Sequence, residues 1–137
     1  MSDPTTDPYW NNVSLLLQFD GTNGSTTFTD SSGLNQTVTP NGGASISTAQ
    51  SKFGASGYFD GVDNYLSVPH STALNLSSGD FTIELWLYAN SFADKQVIFD
   101  KDGINNVSHS SYYLVISSTG NLRAFLGNGN GVNPSTT

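Results

Sequence analysis

Apolar residues in this chain fall into short runs separated by clusters of Asn, Asp, Gly and Ser. The run "VSLLLQF" at 13–19 is nearly continuous and of strand length. In "DFTIELWLYA" at 80–89, Phe81, Ile83, Leu85 and Leu87 alternate with Thr82, Glu84, Trp86 and Tyr88, a period of two with both faces partly apolar. Further runs are "SGYFD" (56–60), "NYLSV" (64–68), "QVIFD" (96–100), "SYYLVIS" (111–117) and "NLRAFL" (121–126), with shorter pieces at 26–29, 37–39 and 44–47 suited to edge strands. They recur every 8 to 16 residues, the spacing of an antiparallel sandwich or barrel. No 12-residue window carries a 3.6-residue stripe, and only "HSTALNL" (70–76) suits a single helical turn. The pattern predicts an all-β protein. Alternation assigns its core to Phe19, Phe59, Leu66, Phe81, Ile83, Leu85, Ile98, Leu114, Ile116 and Leu122.

Composition adds what periodicity leaves open. A chain of 137 residues suggests one domain, large enough to bury about two-thirds of its unfolded surface. Four Lys and Arg face eleven Asp and Glu, for a net charge of −7. Nucleic-acid binding needs clustered cations to displace counterions from phosphate, and Lys52, Lys95, Lys101 and Arg123 are scattered. Nucleic acids and anionic membranes are therefore excluded as expected partners. The absence of cysteine removes disulfides and thiolate metal sites. Residues 1–12, "MSDPTTDPYWNN", do not have the basic and apolar make-up of a signal peptide, and no run approaches the ~18 apolar residues of a membrane span. Ser and Thr number 34, and Asn and Gly 14 each, so the polar surface is built from neutral groups that favour turns and strands.

One long stretch resembles a known family. "FGASGYFDGVDNYLSVPHSTALNLSSGDFTIELWLYA" is similar to the middle of laminin-G-like domains of the concanavalin-A-like lectin and glucanase superfamily. There, a phrase of the form Y-F-D-G-x-x-D-Y-L-x-V precedes D-F-T-I-E-x-W. The opening "DPYWNNVSLLLQFDGTNGSTTFTDSSG" resembles the entry strand of such domains in bacteriophage and marine viral structural proteins. The resemblance implies an antiparallel jelly-roll β-sandwich at 13–137, preceded by an N-terminal segment at 1–12. Such domains continue past a strand like "NLRAFLGNG" with W-x-H-V and Y-V-D-G strands, whereas this sequence runs into "NGNGVNPSTT". The expectation is a sandwich lacking its final strands, completed by a longer polypeptide or by neighbouring subunits, since unpaired edges and bare apolar surface invite aggregation. It is also that the chain is a module of a phage virion protein, a capsid decoration or tail appendage at the particle surface.

The candidate chemistry centres on "DGVDN" at 60–64. Asp60, Asp63 and Asn64 supply three oxygen-bearing side chains, and Asp20 could add a fourth, toward the six to eight oxygens that calcium takes. A bend between Phe59 and Tyr65 requires the same residues, because Asp, Gly and Asn tolerate left-handed dihedrals and cap their own backbone. The turn is the expectation, with no cofactor, and a calcium ion is the alternative. "DKDGINNVSHSS" at 100–111 fails as an EF-hand loop: its glycine falls at position four, and position twelve is Ser111 where a Glu is required. The calcium-binding pentraxins of the same fold place an Asp-Asn pair before the strand matching "YYLVI", where this chain has Ser110 and Ser111.

Catalysis finds little purchase. Glycoside hydrolysis needs two carboxyl groups, and the superfamily's glucanases carry an E-x-D-x-x-E strand. Glu84 is the sole Glu, flanked on its face by Thr82, Trp86 and Tyr88. His70 and His109 stand in turn and loop contexts, and no G-x-S-x-G elbow occurs. The chain is expected not to be an enzyme. Sugars, by contrast, are held by aromatic faces with Asn, Asp and backbone groups at loop ends. Asp60, Asp63, Asn64 and Tyr65 are the binding residues proposed on that ground. Expected partners are cell-surface glycans and other virion proteins or copies of the chain itself.

Overall fold

The computed structural model describes residues 6–76, 79–101 and 112–126. These form two compact units, Met1–Leu74 and Asn75–Thr137. Every ladder is antiparallel, and the helical content of the described residues is two 3-10 turns, Trp10–Asn12 and Thr72–Leu74. The second falls inside the 70–76 stretch where one turn is expected.

The first unit holds two two-stranded sheets. Strands β1 (Thr39–Asn41) and β4 (Tyr65–Ser67) pair with Asn41 opposite Tyr65, and β2 (Ser45–Ser47) and β3 (Ser56–Tyr58) pair with Ile46 opposite Gly57. Ile46, flanked by two serines, is 1% exposed and anchors a cluster with Phe28 and Ala44. Phe19, Val38, Ala55 and Leu66 pack around it. The Phe19 ring meets Phe28 edge-on at 6.0 Å and lies so close over β3 that a Cβ on Gly57 would sit 2.7 Å from it. Phe19 holds a left-handed φ of 56°, a conformation that costs about 1–3 kcal/mol and persists only where surrounding packing enforces it.

The second unit holds one three-stranded sheet in the order β5 (Gln96–Lys101), β6 (Tyr112–Ile116), β7 (Leu122–Leu126). A register shift between Val97 and Phe99 sets Ile98 at a bulge. Val115, Ile116 and Phe125 are buried, and Tyr113 stacks on Phe125 at 4.9 Å.

Several expected features are corrected here. Among the described residues the run 13–19 makes no ladder; it contributes one bridge, Leu17 to Asp30, and the Leu16 N–H goes to the Asp30 carboxylate. The run 80–89 likewise has no ladder among the described residues, and Phe81, Ile83 and Leu85, expected in the core, are exposed. Period two reports alternation between faces, and here it is not accompanied by burial. Phe59 is also exposed, and so is Leu122 at 64%, although Phe125 on the same strand β7 is buried, because the two side chains point to opposite faces of the sheet. Of the expected core, Ile116 is fully buried, while Phe19 and Leu66 flank the first cluster.

Candidate functional site

The bend at 60–64 joins strands of two different sheets, since β3 pairs with β2 and β4 with β1. Asp60 Oδ1 accepts the Val62 N–H at 2.9 Å, and Gly61 adopts φ 79°, so Asp60 caps its own turn as an Asx motif. Asn64 serves a longer-range purpose. Its Oδ1 accepts the Gly43 N–H at 2.6 Å and pins the 42–43 turn against the bend. Gly42, at φ 69°, packs so tightly there that a Cβ would fall 2.5 Å from the Asp63 carbonyl oxygen and 2.6 Å from Asn64 Oδ1. No side chain fits at position 42, which is why a glycine follows Asn41 there.

Beyond this joint, Asp63 and Tyr65 face outward. The Asp63 carboxylate accepts no hydrogen bond among the described residues, and the Tyr65 ring is 56% exposed. Opposite Tyr65, Asn41 donates through Nδ2 to the Thr39 carbonyl at 3.1 Å and to Ser67 Oγ at 3.2 Å. A shallow depression lined by Thr26, Pro40, Asn41, Gly42, Gly43 and Ala44 adjoins the turn. The four residues singled out from the sequence thus divide into two that build the joint (Asp60, Asn64) and two that present polar and aromatic groups to solvent (Asp63, Tyr65).

Among the described residues, no three His, Asp or Glu side chains converge on a point that could hold a metal ion, and Asp20 does not join Asp60 and Asp63 in such a group. Glu84 and His70 are both exposed. Most of the second Asp-Gly phrase, with His109, Ser110 and Ser111, lies outside the described residues.

The best-built polar centre was not among the residues chosen from sequence. Asp30 is 3% exposed and accepts four hydrogen bonds: Leu16 N–H and Ser32 N–H on Oδ1, and Ser32 Oγ–H and Gln36 N–H on Oδ2. Gln36 Nε2 adds a bond to the Ser14 carbonyl at 2.7 Å, tying the 14–16 segment to the same turn. Burial by itself pushes the Asp30 carboxyl up, but the hydrogen bonds from Leu16, Ser32 and Gln36 outweigh it and hold the group below the ordinary carboxylate value. A carboxylate has about four lone-pair sites, and all are occupied. Asp30 is a structural knot with no valence left for a ligand. Its signal in the sequence is the "TDSSG" phrase, an Asp with hydroxyl and amide donors two to six residues on.

Residues 59–137 match the family model of the concanavalin A-like lectin/glucanase superfamily, in its laminin-G-type branch. The chain belongs to that family. Its antiparallel sheets and near-absence of helix among the described residues are the make-up of the family's β-sandwich, a carbohydrate-binding type of fold. Comparison with curated proteins and with solved structures returns no match.

Proposed function

We propose that this chain is a non-enzymatic adhesion module that binds surface glycans, carried by a phage virion protein as a capsid decoration or tail appendage. The observation that carries the glycan reading is the pair Asp63 and Tyr65: an exposed ring two residues along the chain from an exposed carboxylate with no hydrogen-bond partner among the described residues, on either side of the Asn64 that bonds Gly43. Sugars are recognised by apolar ring faces combined with a few fixed polar groups, and family membership supplies a fold of the carbohydrate-binding type. The virion setting is supported by the resemblance of the opening "DPYWNNVSLLLQFDGTNGSTTFTDSSG" to the entry strand of such domains in phage and marine viral structural proteins. After Asp80 the run "DFTIELWLYA" carries no carboxyl group besides Glu84, and it lacks the glucanases' E-x-D-x-x-E pattern, which supports a binding role over hydrolysis. Glycans and neighbouring virion proteins or further copies are the partners in this reading, and no cofactor is required, with calcium the alternative.

The test is a glycan array with the full chain and with the Asp63→Asn, Tyr65→Ala double variant, each with calcium and with EDTA. Retention of defined glycans by the wild type, lost in the variant and indifferent to EDTA, is the expected result. Absence of any hit would sink the adhesion reading in favour of a purely structural virion component. Binding that vanishes with EDTA would install a cation in the site.

A further inference from the structure

Asn-Gly occurs at 23–24, 41–42, 128–129 and 130–131, the last two pairs lying outside the described residues. Such a pair is chemically self-reactive. The backbone nitrogen of the glycine, once it gives its proton to solvent base, attacks the asparagine Cγ. A new N–C bond closes a five-membered succinimide, the Cγ–Nδ2 bond breaks, and ammonia departs. Water then opens the ring at either carbonyl, leaving an aspartyl or an isoaspartyl linkage, with no oxidant or reductant involved. Glycine favours the attack because it carries no Cβ to obstruct it.

The two described pairs differ in what holds the attacking nitrogen. At the first, the Gly24 N–H donates to the Ile46 carbonyl at 2.8 Å, and Asn23 Oδ1 accepts from Thr48 N–H at 3.1 Å and from Thr48 Oγ1. Attack there requires breaking a backbone hydrogen bond to the strand that carries the buried Ile46. At the second, the Gly42 N–H has no hydrogen-bond partner among the described residues, and Gly42 is exposed to the base that must deprotonate it.

We infer that Asn41 is a site of spontaneous deamidation in the folded protein, and that Asn23 is protected by the Gly24–Ile46 hydrogen bond. The consequences at the two positions are opposite. An aspartate at position 23 would keep an acceptor for Thr48. Conversion at position 41 removes both donations from Nδ2, to Thr39 O and Ser67 Oγ, and sets a carboxylate against a carbonyl oxygen. The isoaspartyl product also lengthens the main chain by one methylene, at a turn where even a Cβ on Gly42 would collide with Asp63. The modification therefore loosens the joint that fixes Asp63 and Asn64 against the 42–43 turn.

The experiment follows the full chain at mildly alkaline pH by peptide mapping, folded and in urea. In the folded protein Asn41 converts roughly fivefold or more faster than Asn23, the factor set by the net worth of one backbone hydrogen bond; in urea the two converge. The aged acidic fraction, separated by ion exchange, melts below the fresh protein, and the Asn41→Gln chain, whose longer side chain disfavours the five-membered ring, yields no such fraction at this position. Conversion of Asn23 ahead of Asn41 in the folded chain overturns the inference. So does an Asn41 that survives folded incubation while converting readily in urea.

Discussion

Asp30 shows how one side chain can organise a segment that its own pattern would have made a strand. Its carboxylate gathers donors from residues 16, 32 and 36, three places with no regular structure in common. Asn in its place keeps one acceptor and turns an NH2 group toward existing donors, so Asp30→Asn should cost about 3 kcal/mol, the scale of losing charge-assisted bonds at a buried site. Urea titration of both proteins measures it. The pH dependence has a definite sign. Because the folded pKa lies below the unfolded value of about 3.9, the carboxylate's contribution is fully present above that value and is lost as pH falls through the folded pKa. Wild type should lose melting temperature below about pH 4, and Asp30→Asn should lose less over the same interval. Equal acid slopes in the two would show that the knot does not contribute as described.

At the level of elements, burial separates residues that alternation treats alike. Ile46 and Leu122 both sit in strands beside polar neighbours, yet one is 1% exposed and the other 64%. Ile46→Ala should cost about 2–5 kcal/mol, the range for a large-to-small change in a packed core. Leu122→Ala should stay within about 0.5 kcal/mol, as surface substitutions do. Denaturant midpoints at constant slope give the comparison, and similar losses in the two would refute the assignment of Leu122 to an uncovered face of its sheet. The bend at 60–64 teaches the same lesson. "SGYFDGVDNYLSV" has the look of a hairpin, but its two strands belong to different sheets, so the turn residues serve to dock against Gly42 and Gly43.

For the molecule as a whole, family membership and the character of the exposed groups bear on function together. Glu84 stands exposed between Thr82 and Trp86 in the alternating run, and its role is the sharpest divide between a binding module and a hydrolase. In the proposed reading Glu84→Gln leaves glycan retention on the array unchanged, because the charge takes no part at Asp63 and Tyr65. Abolished retention in Glu84→Gln, with the Asp63→Asn, Tyr65→Ala variant behaving as wild type, would move the site to the 80–89 segment and reopen catalysis.

The sequence by itself determined the class of fold: short apolar runs, abundant Ser, Thr, Asn and Gly, and no helical stripe leave an antiparallel all-β chain, and two phrases around residues 58–86 carry the family. It also placed β3, β4, β5, β6 and β7 within a residue or two, because period two and turn clusters are local signals. Which strands pair, and which of two apolar faces is covered, only the tertiary structure decided. Those choices depend on contacts between residues far apart in the chain, such as Phe19 over Gly57 or Asn64 on Gly43, to which local periodicity is blind. Asp30 was illegible for the same reason: an Asp before two serines is an ordinary turn until a distant Leu16 N–H finds it. Of the candidate site, residue types and position were legible in "DGVDN", but the division between residues that build the joint and residues that face solvent required the Gly42–Gly43 turn to be set against them.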